Sequence, residues 1–123
     1  MPYNKDLGRV GEAEARSFLI KNGYTIIKSN YTCKCGEIDI IAQEDDYIVF
    51  IEVKTRTNAN YGFPVESISC KKRKSIIKSA KVFLLQGKKT DSSVRFDVIE
   101  VLTNSEKESD CNINHIKNAF WEE

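Results

Sequence analysis

Glu52 and Lys54 stand one residue apart in the otherwise apolar run from Tyr47 to Thr55. Burying a carboxylate and an ammonium in such a run is costly unless they pair or hold something. A period of two places Ile48, Phe50, Glu52, Lys54 and Arg56 on one face, and Tyr47, Val49, Ile51 and Val53 on the other. In the preceding run, Gly36 to Ala42, the same alternation groups Ile38, Ile40 and Ala42, and opposes them to Glu37, Asp39 and Ile41. Gln43 to Asp46 is a short polar turn, so the two runs are expected to form an antiparallel hairpin. Asp39 then faces residue 50, 51 or 52, and matching the apolar faces selects 50 or 52. Asp39 and Glu52 are thus directly or diagonally opposed, an unfavourable placement for like charges. A divalent cation between them removes that penalty. Lys54, on the same face, could then contact a phosphate or a water as a cation. The bland alternative is a structural ion pair of Lys54 with Asp39 or Glu52.

A further carboxylate comes from the first helix, expected over Asp6 to Asn22. Leu7, Gly8, Gly11, Ala15, Phe18 and Leu19 fall on one side of it. Two glycines on that side suggest close packing against another segment. Glu12 borders the stripe. It could reach the sheet and join the acidic pair, or form a surface salt bridge with Arg16. Glu37 sits at a strand edge and reads as solvated.

The elements that must position these groups follow in order. Tyr24 to Ser29, Gly36 to Ala42 and Tyr47 to Thr55 read as strands, and Arg56 to Pro64 as a loop. A second helix runs from about Ser67 or Ser69 to Gln86, with Ile76, Ile77, Ala80, Phe83 and Leu84 as its apolar side. Val94 to Leu102 is a fourth strand, Thr103 to Asp110 a polar loop, and Cys111 to Phe120 an edge strand or turn. A strand, helix and strand in succession imply a crossover, so the expected fold is α/β, a mixed sheet flanked by helices.

The 123 residues suit one domain spanning the chain. The apolar share of 41% and charged share of 30% are those of a soluble globular protein, expected in the cytoplasm. No run is apolar enough to span a membrane, and the first residues lack a secretory h-region. Cys33, Cys35, Cys70 and Cys111 read as reduced thiols, because one residue between Cys33 and Cys35 is too few for the usual zinc spacing. Net charge is only +1. The cations are nonetheless clustered: Lys71, Lys72, Arg73 and Lys74 are consecutive, with Lys78 and Lys81 beyond. At the start of a helix such a run opposes the dipole, and phosphate would relieve it. A solvated basic turn is the alternative. Arg56, Tyr61 and Phe63 could grip or stack on DNA, or Tyr61 and Phe63 could simply pack the loop. His115, the single histidine, reads as a surface or edge-strand residue.

Residues 36 to 42, Gly-Glu-Ile-Asp-Ile-Ile-Ala, followed by Ile-Glu-Val-Lys at 51 to 54, resemble the PD-(D/E)XK nuclease signature. Ile38 stands where that name has proline. With Gly11 and Glu12 in the first helix, and Arg95, Phe96, Asp97 and Val98 in the fourth strand, the chain resembles the YraN-like family of predicted endonucleases. These are related to archaeal Holliday-junction resolvases, and the resemblance runs from Leu7 to Phe120. It implies a restriction-endonuclease-like core, magnesium or manganese as cofactor, and phosphodiester hydrolysis in DNA, branched DNA among the candidates. It makes Asp39 and Glu52 metal ligands and Lys54 the catalytic lysine. Glu12 matches the first-helix acid of the resolvases, the Val53 carbonyl is a further candidate ligand, and Lys72 matches a basic position of the second helix. A homodimer would suit a junction by symmetry. The competing class is a non-catalytic nucleic-acid-binding protein on a nuclease scaffold. The intact set of Asp39, Glu52 and Lys54 favours the enzyme.

Overall fold

The computed structural model describes residues 5–57, 68–104 and 107–122. Its elements run α1 (Lys5–Lys21), β1 (Thr25–Cys33), β2 (Gly36–Glu44), β3 (Tyr47–Thr57), α2 (Cys70–Gln86), β4 (Ser93–Asn104) and β5 (Lys107–Phe120). The most apolar strand, β3, takes the centre of a five-stranded sheet of order β1-β2-β3-β4-β5. It pairs antiparallel with β2 and parallel with β4, and the crossover between β3 and β4 carries α2. The mixed α/β sheet flanked by two helices is therefore observed.

Alternation along β3 divides the core into two layers. Ile48 and Phe50 pack with Ile76, Ile77, Ala80 and Leu84 of α2. Val49 and Ile51 pack with Ala15 and Leu19 of α1. Gly11 allows the α1 contact to be close, since a Cβ there would lie 1.8 Å from Thr55 Oγ1. Ser69 caps α2 by accepting from the Lys72 amide at 3.1 Å, which fixes the helix start.

Several boundaries and one face differ from expectation. β1 continues past Ser29 to Cys33, where Cys33 pairs with Gly36 across a tight turn. Arg56 belongs to β3 and not to a loop, because β4 runs alongside and supplies the partner Leu102. The expected loop from Thr103 to Asp110 is largely strand, with Thr103 pairing Cys111 and Asn104 pairing Lys107. Main-chain pairing there does not require apolar side chains, so polarity misled. Finally, Ile38 packs in the α2 layer with Ile41, whereas Ile40 and Ala42 face α1. The β2–β3 ladder ends at Ile40 and Ile51, and beyond it strict alternation no longer holds. Tyr61 and Phe63 lie outside the described residues.

Candidate active site

The positions just beyond the Ile40–Ile51 pair are Asp39 and Glu52. There the side chain of Asp39 replaces a main-chain acceptor: its Oδ2 takes the Val53 amide at 2.8 Å. Glu52 is 5% exposed, and its carboxyl is within hydrogen-bonding reach of Asp39. Burial first, then the hydrogen bond and the charge of Asp39, push the Glu52 acid up to about 8, while Lys72 and Lys54 pull it down. Two carboxyl groups in one buried corner thus stay together by keeping a proton.

Lys54, two residues beyond Glu52 on β3, lines a cavity of about 330 Å³ together with Glu12, Val53 and Arg56. α1 brings Glu12 to this cavity. Burial, then the Asp39 charge, raise its carboxyl, and Arg16 and a hydrogen bond with Asn30 lower it. Glu12 therefore senses both Asp39 and Arg16, the two partners the sequence offered it. Glu37 is exposed, as expected.

The basic run separates into different roles. Lys72 turns inward, its Nζ 3.7 Å from Glu52 Oε2. Arg73 Nε donates to the Ile68 carbonyl at 3.1 Å. Lys71 and Lys74 are exposed. Arg56 Nε lies 3.2 Å from Oε2 of buried Glu100 on β4, and burial holds the Glu100 acid above its ordinary value. Sequence reasoning had no signal for this pair, because Glu100 gains its partner only through parallel pairing of β3 with β4.

On the α1 side of the sheet sits a second polar group that the sequence did not reveal. Asp97 is fully buried and accepts from Arg95 Nε at 2.9 Å and from the Asn118 amide at 2.9 Å. His115 Nε2 lies 2.7 Å from Asp97 Oδ2, and the His115 side chain is only 8% exposed, so it is an edge-strand residue but not a surface one. Phe18 and Tyr24 pack on its ring and close it from solvent. Burial raises the Asp97 acid, but hydrogen bonds from His115, Arg95 and Asn118 outweigh it and leave Asp97 below its ordinary value. Arg95 also reaches Glu44 and the Tyr24 hydroxyl. An arginine and an aspartate two apart in an apolar strand were the available signal.

Hard oxygen donors suit magnesium or manganese better than softer metals. Among the described residues, no three His, Cys, Asp or Glu side chains gather as a ready metal cluster. The donors present at the corner are Asp39 and Glu52, with the backbone of Val53 beside them and Glu12 across the cavity. Cys33, Cys35 and Cys70 are free thiols. No helix among the described residues is long and apolar enough to cross a membrane.

Fold and site define an α/β protein whose acidic corner lies where the central strand leaves its hairpin partner. A family model described as Uncharacterised protein family UPF0102 matches residues 11–101, and the chain belongs to that family. A UPF0102 protein of Caldanaerobacter subterraneus subsp. tengcongensis is 46% identical over 116 residues, covering 94% of this chain and 95% of that one. A UPF0102 protein of Clostridium tetani is 45% identical over 118 residues, covering 96% of both. One of Clostridioides difficile is 45% identical over 117 residues, covering 95% of this chain and 98% of its own.

Proposed function

We propose that the chain is a divalent-metal-dependent endonuclease of the PD-(D/E)XK kind, hydrolysing phosphodiester bonds in DNA. The observation that carries this reading is the buried apposition of Asp39 and Glu52, with two lysines aimed at the same corner. An acid pair that must share a proton when metal-free is a site that a divalent cation would relieve. Asp39, Glu52 and the Val53 carbonyl would hold the cation, with Glu12 able to approach from α1. When bound, the cation supplies Lewis-acid stabilisation of the phosphate and lowers the pKa of water.

The remaining chemistry belongs to the chain's own groups. The Val53 amide holds one oxygen of Asp39 and so positions this carboxylate at the corner. Lys54 offers its ammonium to a phosphate oxygen in the cavity it shares with Glu12. Lys72 holds part of the Glu52 charge until a ligand takes over. Arg56 neutralises Glu100, which keeps a third buried carboxylate from repelling the substrate.

A non-catalytic nucleic-acid-binding protein is the second reading, and the Lys72–Glu52 contact favours it, since an ion pair already partners that acid. The two are separated by offering branched, single-stranded and linear DNA with magnesium and with manganese. Metal-dependent cuts that Asp39→Asn abolishes support the nuclease. Binding of the panel without a cut under either metal sinks it.

A further inference from the structure

A groove of about 380 Å³ lies between α2 and the C-terminal end of β5, away from the acidic corner. Its helical wall presents Arg73, Lys74, Lys78 and Lys81, which recur on one side of α2. Its opposite wall carries Trp121, whose side chain is 62% exposed beside the buried Phe120. Among the described residues, the acid that lines the groove is Glu122, and it is paired with Lys81. A large aromatic surface left in water beside a row of cations fits a ligand with flat rings and regularly spaced negative charge.

We infer that this groove holds an unpaired segment of a nucleic acid, with a base stacked on Trp121 and phosphates on Lys74, Lys78 and Lys81. The inference rests on the nucleic-acid reading of the acidic corner and deepens it by naming the class of substrate. A duplex hides its base faces and would leave the indole unused. The groove also shares its helix with the site: Lys72, one residue from Arg73, touches Glu52. From Lys74 to Lys81 α2 rises about 10 Å, enough to track a few nucleotides. A strand lying there would lead toward Glu52, so the favoured substrate carries single-stranded DNA next to the bond that is cut. The Glu122 carboxylate stands on Lys81 where a phosphate would go, and must yield when the strand binds.

Trp121 is the only tryptophan in the chain, so its emission reports on the groove directly. The full chain, in EDTA to prevent cleavage, is titrated with a short oligothymidylate, with a duplex of equal length and with a polyglutamate peptide. The oligothymidylate should quench the emission, and the duplex and peptide should not. Trp121→Ala should weaken oligothymidylate binding about tenfold, Trp121→Phe should retain most of it, and Glu122→Gln should tighten it. Thermal melts of the Trp121 variants should match the parent, because the side chain is exposed. Unchanged affinity in Trp121→Ala, equal quenching by the duplex, or quenching by polyglutamate would each overturn the inference, the last assigning the groove to an acidic protein segment. Magnesium-dependent cleavage by a chain whose tryptophan stays silent keeps the nuclease and discards the groove. Quenching by a chain that cuts nothing does the reverse.

Discussion

Asp39 Oδ2 accepts the Val53 amide at 2.8 Å, so the hairpin is held past its last ladder pair by a side chain. This hydrogen bond holds the Asp39 carboxylate at the corner where Glu52 is buried. It also ties the position of a candidate ligand to the backbone of the strand that carries Glu52 and Lys54.

Asp39→Asn keeps an oxygen that can accept the Val53 amide while removing a charge. The expected outcome is a fold as stable as the parent or slightly more so, with magnesium affinity and cleavage both lost. Lys54→Ala should keep metal binding and lose cleavage by on the order of a hundredfold or more. Calorimetric magnesium titration and cleavage rates on each variant check both. A structural ion pair would instead show destabilisation of about 3–5 kcal/mol with no change in metal affinity.

The raised Glu52 acid fixes the sign of a pH effect. Between its ordinary value near 4.5 and about 8, the folded chain holds a proton that the unfolded chain has released. Stability of the metal-free protein should therefore fall as pH rises through that window, by on the order of 5 kcal/mol at most. Urea denaturation across the window in EDTA measures it. Glu52→Gln should flatten the profile, and saturating magnesium should offset the fall at high pH.

Asp97 has the opposite sign. Its acid lies below the ordinary value, so its contribution is present above about pH 4 and is lost as pH falls further. Asp97→Asn would leave Arg95 and His115 without their buried anion and should cost about 3–5 kcal/mol. The folded fraction should still bind magnesium normally, because neither Arg95, Asp97 nor His115 lines the cavity that Lys54 shares with Glu12. Thermal denaturation paired with metal titration tests that separation.

The divided roles of the basic run give distinct variants. Lys71→Ala combined with Lys74→Ala should weaken DNA binding across sequences, single-stranded DNA included. It should also lower the salt slope by nearly one for each phosphate that these lysines neutralise. Lys72→Ala should instead raise the Glu52 acid further and steepen the loss of stability with pH. Binding isotherms at several salt concentrations, alongside the denaturation profile, distinguish the two.

Gly11→Ala should cost about 1–3 kcal/mol through overpacking, because the new methyl would sit 1.8 Å from Thr55 Oγ1. Relief requires α1 to move off β3, which shifts Glu12 away from Lys54. A drop in cleavage larger than the drop in folded fraction would show that α1 seating matters to the site.

By itself, the sequence determined the parts governed by local periodicity. The apolar run ending in Glu52 and Lys54 had to be a buried central strand, and the short turn after Gln43 narrowed the partner of Asp39 to residue 50 or 52, between which the Ile40–Ile51 pairing decides. The α1 stripe through Gly11, Ala15 and Leu19 was legible for the same reason, since helix geometry alone groups those residues. Whether Glu12 faced Arg16 or the sheet was not legible, because a residue at the margin of a stripe goes where the neighbouring element permits. Only the tertiary structure turned Lys72 onto Glu52, gave Arg56 the buried Glu100, and closed His115 over Asp97. Each of these joins residues on different elements, across a helix–sheet interface, a parallel strand pair and an antiparallel strand pair respectively. Periodicity tells which way a side chain points from its own backbone, and not what the rest of the chain will bring to meet it.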